Sequence, residues 1–166
     1  MHREGHLGAA LAVYSPLGFL VHVAGFPSAA VAGGVGAALL VMVPDQDIRI
    51  PLVSHRGITH TVWFALLVGS VLGAAAGYLG VRGGMGAEDA LVVGAFAFAV
   101  GVVTIASHIL ADALTPMGVK PFAPLRGRKY TIAVATASNP IANYGLLFLG
   151  ALSAGGALYL ATIVAG

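Results

Sequence analysis

The chain has 166 residues, 58% of them hydrophobic and only 8% charged, with a mean hydropathy of +0.95. A soluble domain carries about 25% charged residues, so this chain cannot cover a water-facing surface and reads as an integral membrane protein of one domain. A formal net charge of +2 makes no case for nucleic acid, and the lack of cysteine excludes disulfides, thiolate metal sites and cysteine nucleophiles.

A spanning helix needs about 20 mostly apolar residues. The first candidate covers residues 7–24, where Ser15-Pro16 predicts a kink or an interruption. Its start mixes His2, Arg3, Glu4 and His6 and lacks the clear positive run of a cleavable signal, although Ser28-Ala29-Ala30 resembles a small-residue cleavage site. The second candidate, 28–43, is rich in Ala, Gly and Val but short. Residues 61–81 form the third, and 90–111, uncharged apart from His108, the fourth. Residues 143–165 form the fifth. The expected architecture is all-α: a polytopic transmembrane bundle of about five helices, one domain over 1–166, with polar loops near 44–60 and 114–142. The alternative makes the first two segments a re-entrant pair and leaves three full spans. Gly69, Gly73 and Gly77 recur every four positions and give the third helix a smooth stripe, fit for packing within the bundle or for a homodimer face.

Five spans put the N-terminus, the 44–60 loop and the 114–142 loop on one side. That side collects Arg3, Arg49, Arg56, Lys120, Arg126, Arg128 and Lys129, whereas the other holds only Arg82. The positive-inside rule assigns the first side to the cytoplasm.

His6, Asp45, Asp47, His55, His60, His108 and Asp112 are out of place in so apolar a chain, and five spans bring all of them to that same side. His6 is expected ahead of the first helix, Asp45 and Asp47 after the second, His60 at the start of the third, and His108 and Asp112 near the end of the fourth. His108 and Asp112, at i and i+4, share a helix face about 6 Å apart. An ionisable residue at membrane depth is expensive and is a functional candidate. Imidazole and carboxylate together form a ligand set for zinc or a similar divalent ion. Asp45 and Asp47 follow Pro44 in a loop, where both carboxylates can turn toward one cation. Gly57, between His55 and His60, lets the backbone bend so that both rings point inward. Four His and three Asp exceed what one tetrahedral ion needs, which suggests two or three ions with bridging carboxylates. Paired ions can clamp the attacking and leaving oxygens of a phosphoryl displacement. His2 and His22 are left out: the first reads as a solvated terminal residue, and the second lies toward the opposite side.

GHLG at 5–8, PDQD at 44–47, HRGITH at 55–60 followed by Thr61, and HILADALTPMGV at 108–119 with Pro-Phe after Lys120 carry a resemblance. On them the chain resembles the membrane-bound metal-dependent hydrolases, a family described as LexA-regulated and inner-membrane-associated. The similarity runs through roughly the first 125 residues. It implies a helical membrane protein with a metal-hydrolase site. The His/Asp pattern is more distantly similar to zinc-dependent phospholipase C and single-strand nucleases. The chain departs at Gly5-His6, where family members often begin Thr-His; the candidate ligand stays and a hydroxyl is lost.

The expected ligands are His6, Asp45, Asp47, His55, His60, His108 and Asp112, with Asp47 alternatively the general base. The planar fork of Arg56 suits a phosphate, or anchors the loop to headgroups. Thr59 and Thr115 are candidates to orient ligands, and Thr59 alternatively N-caps the third helix. Lys120, Arg126, Arg128 and Lys129 enforce topology or draw anionic lipid. No H-E-x-x-H or G-x-S-x-G occurs, which disfavours a metalloprotease and a serine hydrolase. The expected function is phosphoester hydrolysis of lipid or lipid-linked substrates at the cytoplasmic face of the inner membrane, with zinc or manganese as cofactor, membrane lipids as partners and no nucleic acid. Competing readings are a divalent-metal or proton transporter and a metal-stabilised scaffold.

Overall fold

A computed structural model describes residues 1–51 and 53–166. It contains five α-helices: α1 Arg3–Val23, α2 Pro27–Leu40, α3 Val62–Arg82, α4 Ala87–Ala113 and α5 Pro140–Ala165. Two 3₁₀ turns, Pro44–Arg49 and Ile58–His60, stand between α2 and α3. Counting α2 with its following turn as Pro27–Arg49, all five runs are long and apolar enough to cross a membrane. Among the described residues there is no strand, only an isolated antiparallel bridge between Val119 and Tyr130.

Local chemistry explains the helix ends. Asn139 accepts from Ala142 N and Pro140 supplies the first turn of α5. Thr61 accepts from Phe64 N at 3.3 Å and caps α3. Glu88 and Asp89 lie in the first turn of α4, where negative charge meets the positive end of the helix dipole. Gly25 and Gly84 take φ of 92° and 88° just beyond α1 and α3, a conformation that side chains disfavour.

Packing follows the small residues. Gly8 and Gly150 meet where α1 crosses α5; a Cβ on Gly8 would fall onto the backbone at Leu146, and one on Gly150 onto Gly8 itself. The Gly69–Gly73 part of the glycine stripe lies against Phe98 and Gly94 of α4, so the stripe brings α3 and α4 together. Tyr14 reaches from α1 to donate to Ala30 O of α2 at 2.6 Å, and its ring fills the space above Gly33. Large apolar side chains such as Leu39, Leu91 and Phe148 point outward, as a lipid-facing surface requires.

Several boundaries differ from the sequence reading. Helix α1 begins at Arg3, so His6 lies within it and not ahead of it. Pro16 sits inside α1 without interrupting it. Asp45 and Asp47 stand on a 3₁₀ turn and not in a loop. Thr61, not Thr59, is the cap of α3. The 114–142 segment folds back over the end of α4: Ile132 N donates to Ala113 O and Val134 N to Leu114 O, each at 2.8 Å. Those bonds satisfy carbonyls that the helix end leaves free.

Candidate metal centre

The helices alternate in direction, so the start of α1, the turn after α2, the entry to α3, the end of α4 and the start of α5 meet at one end of the bundle. His6, Asp47, His60, His108 and Asp112 are buried there, and Asp45 is mostly so. His55 is the exposed member, with 38% of its side chain accessible. All seven predicted side chains come to this one end.

Four of them converge on one point: Asp45, His60, His108 and Asp112 each turn a ligand atom inward, all within 4.8 Å of one another. His60 Nε2 is 3.1 Å from His108 Nε2. Asp45 Oδ1 is 3.3 Å from each of those nitrogens. Asp112 Oδ2 is 3.5 Å from His60 Nε2 and 3.9 Å from His108 Nε2. A tetrahedral ion with bonds of about 2.0–2.1 Å needs ligand atoms about 3.3–3.4 Å apart, close to these separations.

For neutral rings the hydrogen-bond network selects the tautomers. Val41 O can only accept, so the 2.7 Å contact from His108 Nδ1 places the proton on Nδ1 and a lone pair on Nε2. The Thr59 hydroxyl donates to Asp47 Oδ2 at 2.6 Å. Its oxygen therefore accepts from His60 Nδ1 at 3.0 Å, which leaves a lone pair on His60 Nε2 as well. Two lone pairs and two carboxylate oxygens face one another in a buried space. Asp112 Oδ2 has no hydrogen-bond partner there. Such a set repels itself unless a cation or a shared proton lies among its members.

His6 stands beside this quartet. Its ring stacks on that of His108 with centroids 3.7 Å apart and planes 3° apart. Its Nε2 lies 3.5 Å from Asp112 Oδ1 and 3.9 Å from Asp45 Oδ2, so it faces the carboxylate oxygens that the quartet does not use. The Met1 amino group sits in the same place, 2.5 Å from Asp112 Oδ1 and 3.1 Å from His6 Nε2. A positive nitrogen thus lies between the His6 imidazole and the Asp112 carboxylate.

Asp47 and His55 form a second group with His60. Both Asp47 oxygens are engaged: Oδ1 with His55 Nδ1 at 2.9 Å, Oδ2 with Thr59 and with Arg56 N at 3.2 Å. Arg56 has a left-handed φ of 59°. Its guanidinium donates to Asp112 Oδ1 at 2.8 Å, Thr115 Oγ1 at 3.0 Å and Gly118 O at 3.2 Å, while its buried Nε has no partner. Thr115 in turn donates to Asp112 O at 2.8 Å. Thr59 and Thr115 both orient other members of the group.

Sequence reasoning missed two contributors. Asn143 is buried, donates to Ala137 O and Asn139 O, and accepts from His2 N at 2.9 Å, which ties the start of α1 to α5. An Asn inside an apolar run was the available signal. The Val41 carbonyl had none, because a backbone oxygen leaves no trace in residue identity.

The profile of the YdjM inner membrane protein family matches residues 1–165, nearly the whole chain. The chain belongs to that family. No curated protein and no solved structure matches it. Family membership and the five apolar helices make it a membrane protein, and the His/Asp groupings could hold a metal ion.

Proposed function

We propose that this member of the YdjM family is a metal-dependent hydrolase of phosphoester bonds in lipid or lipid-linked substrates, with its site at the cytoplasmic face of the inner membrane. The observation that carries the reading is the quartet of Asp45, His60, His108 and Asp112, with two imidazole lone pairs turned inward at a spacing suited to a tetrahedral ion. Asp45 and Asp112 each turn their second oxygen toward His6, so these three residues would help to hold a second ion. When bound, such ions supply Lewis acidity toward a phosphoryl oxygen and activate water near neutral pH.

The chain's own residues prepare that chemistry. Val41 O and Thr59 hold the two imidazoles in the ligating tautomer. Arg56 and Thr115 orient Asp112. Asp47 holds the 55–59 segment through His55, the Arg56 backbone and Thr59, and with His55 and His60 it forms the second group that could hold an ion. The bundle end meets a headgroup while the tails stay in the bilayer, and the Lys and Arg residues gathered there support a cytoplasmic orientation.

Elemental analysis of detergent-purified protein tests this reading, together with turnover of an aryl phosphodiester and of phospholipids in mixed micelles. The expectation is about two zinc or manganese ions per chain, lost in His60→Ala and His108→Ala, with product released only by the metal-loaded wild type. No metal in the wild type after reconstitution would overturn the metal site. Bound metal without turnover would overturn the hydrolase and leave a structural centre.

A further inference from the structure

Beside the His/Asp quartet lies a second feature that the reading above does not use. A cavity of about 390 Å³ opens between residues 54–57 and the segment 117–129. His55, Arg56, Lys120 and Lys129 line it, with Gly57 and Gly118. No carboxylate does, and among the described residues neither lysine has an acidic partner within ion-pair distance.

One backbone bridge brings the segments that carry the two lysines to the same cavity. Val119 and Tyr130 exchange both hydrogen bonds of an antiparallel bridge, at 3.0 and 2.8 Å. Lys120 and Lys129 flank that bridge, one on each segment, and both line the cavity. Like charges gathered at one cavity repel unless a counter-charge joins them. The Lys129 stem also passes over Gly118, where a Cβ would stand 3.0 Å from Lys129 Cε. Gly118 takes φ of 61°, and its carbonyl accepts from Arg56 Nη1. The lysine and the arginine therefore flank one glycine. Arg56 keeps a buried Nε with no partner, although its side chain is only 9% exposed. Two lysines without an acidic partner and Arg56, whose partner Asp112 lies outside the lining, border a cavity that supplies no counter-charge of its own.

We propose that this cavity is an anion subsite, with Lys120 and Lys129 as its outer jaw and Arg56 as the wall shared with the His/Asp quartet, and that its ligand is a phosphate group. The choice of phosphate over other anions rests on the hydrolase reading; the anion site itself rests on the cavity and its charges alone. Arg56 spans the two features, since Nη2 holds Asp112 while the residue lines the cavity. A phosphate seated there lies next to the quartet and offsets the repulsion between the lysines. The same chemistry could come from a lipid headgroup or from a free phosphate compound.

The test is thermal unfolding of the detergent-purified full chain, wild type beside Lys120→Gln/Lys129→Gln, with metal content measured on the same samples. The variant keeps its metal, because neither lysine touches the quartet. Without added anion it unfolds at a temperature equal to or above that of the wild type, since the like-charge pair is gone. Inorganic phosphate at ten times its Kd raises the wild-type Tm by about 4 °C, leaves the double variant unmoved, and loses its effect as ionic strength rises. If phosphate has no effect but nanodiscs of phosphatidylglycerol stabilise the wild type over phosphatidylcholine, and the variant shows no such preference, the subsite is confirmed for a lipid headgroup. A response to inorganic phosphate confirms it for free phosphate compounds. No response to either, or an equal response in the double variant, overturns the subsite. Because metal content is read separately, loss of the metal centre and loss of the anion site are distinguishable.

Discussion

Removing the Arg56 guanidinium should destabilise the bundle end far more than an ordinary polar substitution. Arg56 Nη2 and Asp112 Oδ1 are 2.8 Å apart, with side chains 9% and 1% exposed. Removing one partner of a buried ion pair costs about 3–5 kcal/mol when the other is left uncompensated; here the Met1 amino group still pairs with Asp112 Oδ1 and offsets part of that loss. Arg56→Gln also withdraws donors from Thr115 Oγ1 and Gly118 O, which keeps the expected loss at about 2–4 kcal/mol. For a chain of this length 1 kcal/mol moves Tm by about 2–4 °C, so the variant should unfold about 4–16 °C below the wild type. The assay is thermal unfolding in detergent with chelator in every sample, so that metal loss does not enter the comparison. Asp112→Asn and the double variant complete a cycle. With both charges gone no bare ion stays buried, and the double variant should be more stable than the sum of the single losses by about 1–3 kcal/mol. A shift below about 2 °C for Arg56→Gln, or additive single effects, would refute the claim that this pair is buried and coupled.

Two further substitutions probe other parts of the argument. Asp47→Asn should keep the ions, with affinity lowered about 10–100-fold by the loss of an orienting partner; complete loss of metal in equilibrium dialysis would make Asp47 a ligand after all. Gly8→Ala should cost about 1–3 kcal/mol or more, because its Cβ would strike the α5 backbone. Gly155→Ala, on the same helix pair with open space around it, should be neutral or stabilising in the same melt. Equal effects would show that α1 and α5 do not approach at Gly8.

The membrane class, the number of helices and the gathering of seven polar residues at one end follow from the sequence itself, because each has a one-dimensional signature. Apolar runs near spanning length mark the helices, and the alternation of their direction sends His6, Asp45, Asp47, His55, His60, His108 and Asp112 to one end whatever the packing. The HRGITH stretch announced an unusual polar site because ionisable groups are expensive beside lipid. Roles within the roster were not legible there. His60 and Asp47 look alike as ligand candidates on the line, yet folding turns His60 Nε2 inward and ties up both Asp47 oxygens with His55, Thr59 and Arg56 N. The glycine stripe of α3 reads equally as a dimer face until α4 is laid against it. The meeting of Lys120 and Lys129 at one cavity depends on a single backbone bridge. Those distinctions rest on where a lone pair points and which backbone atom lies opposite, quantities set by contacts between segments far apart in the chain, and only the packed bundle decides them.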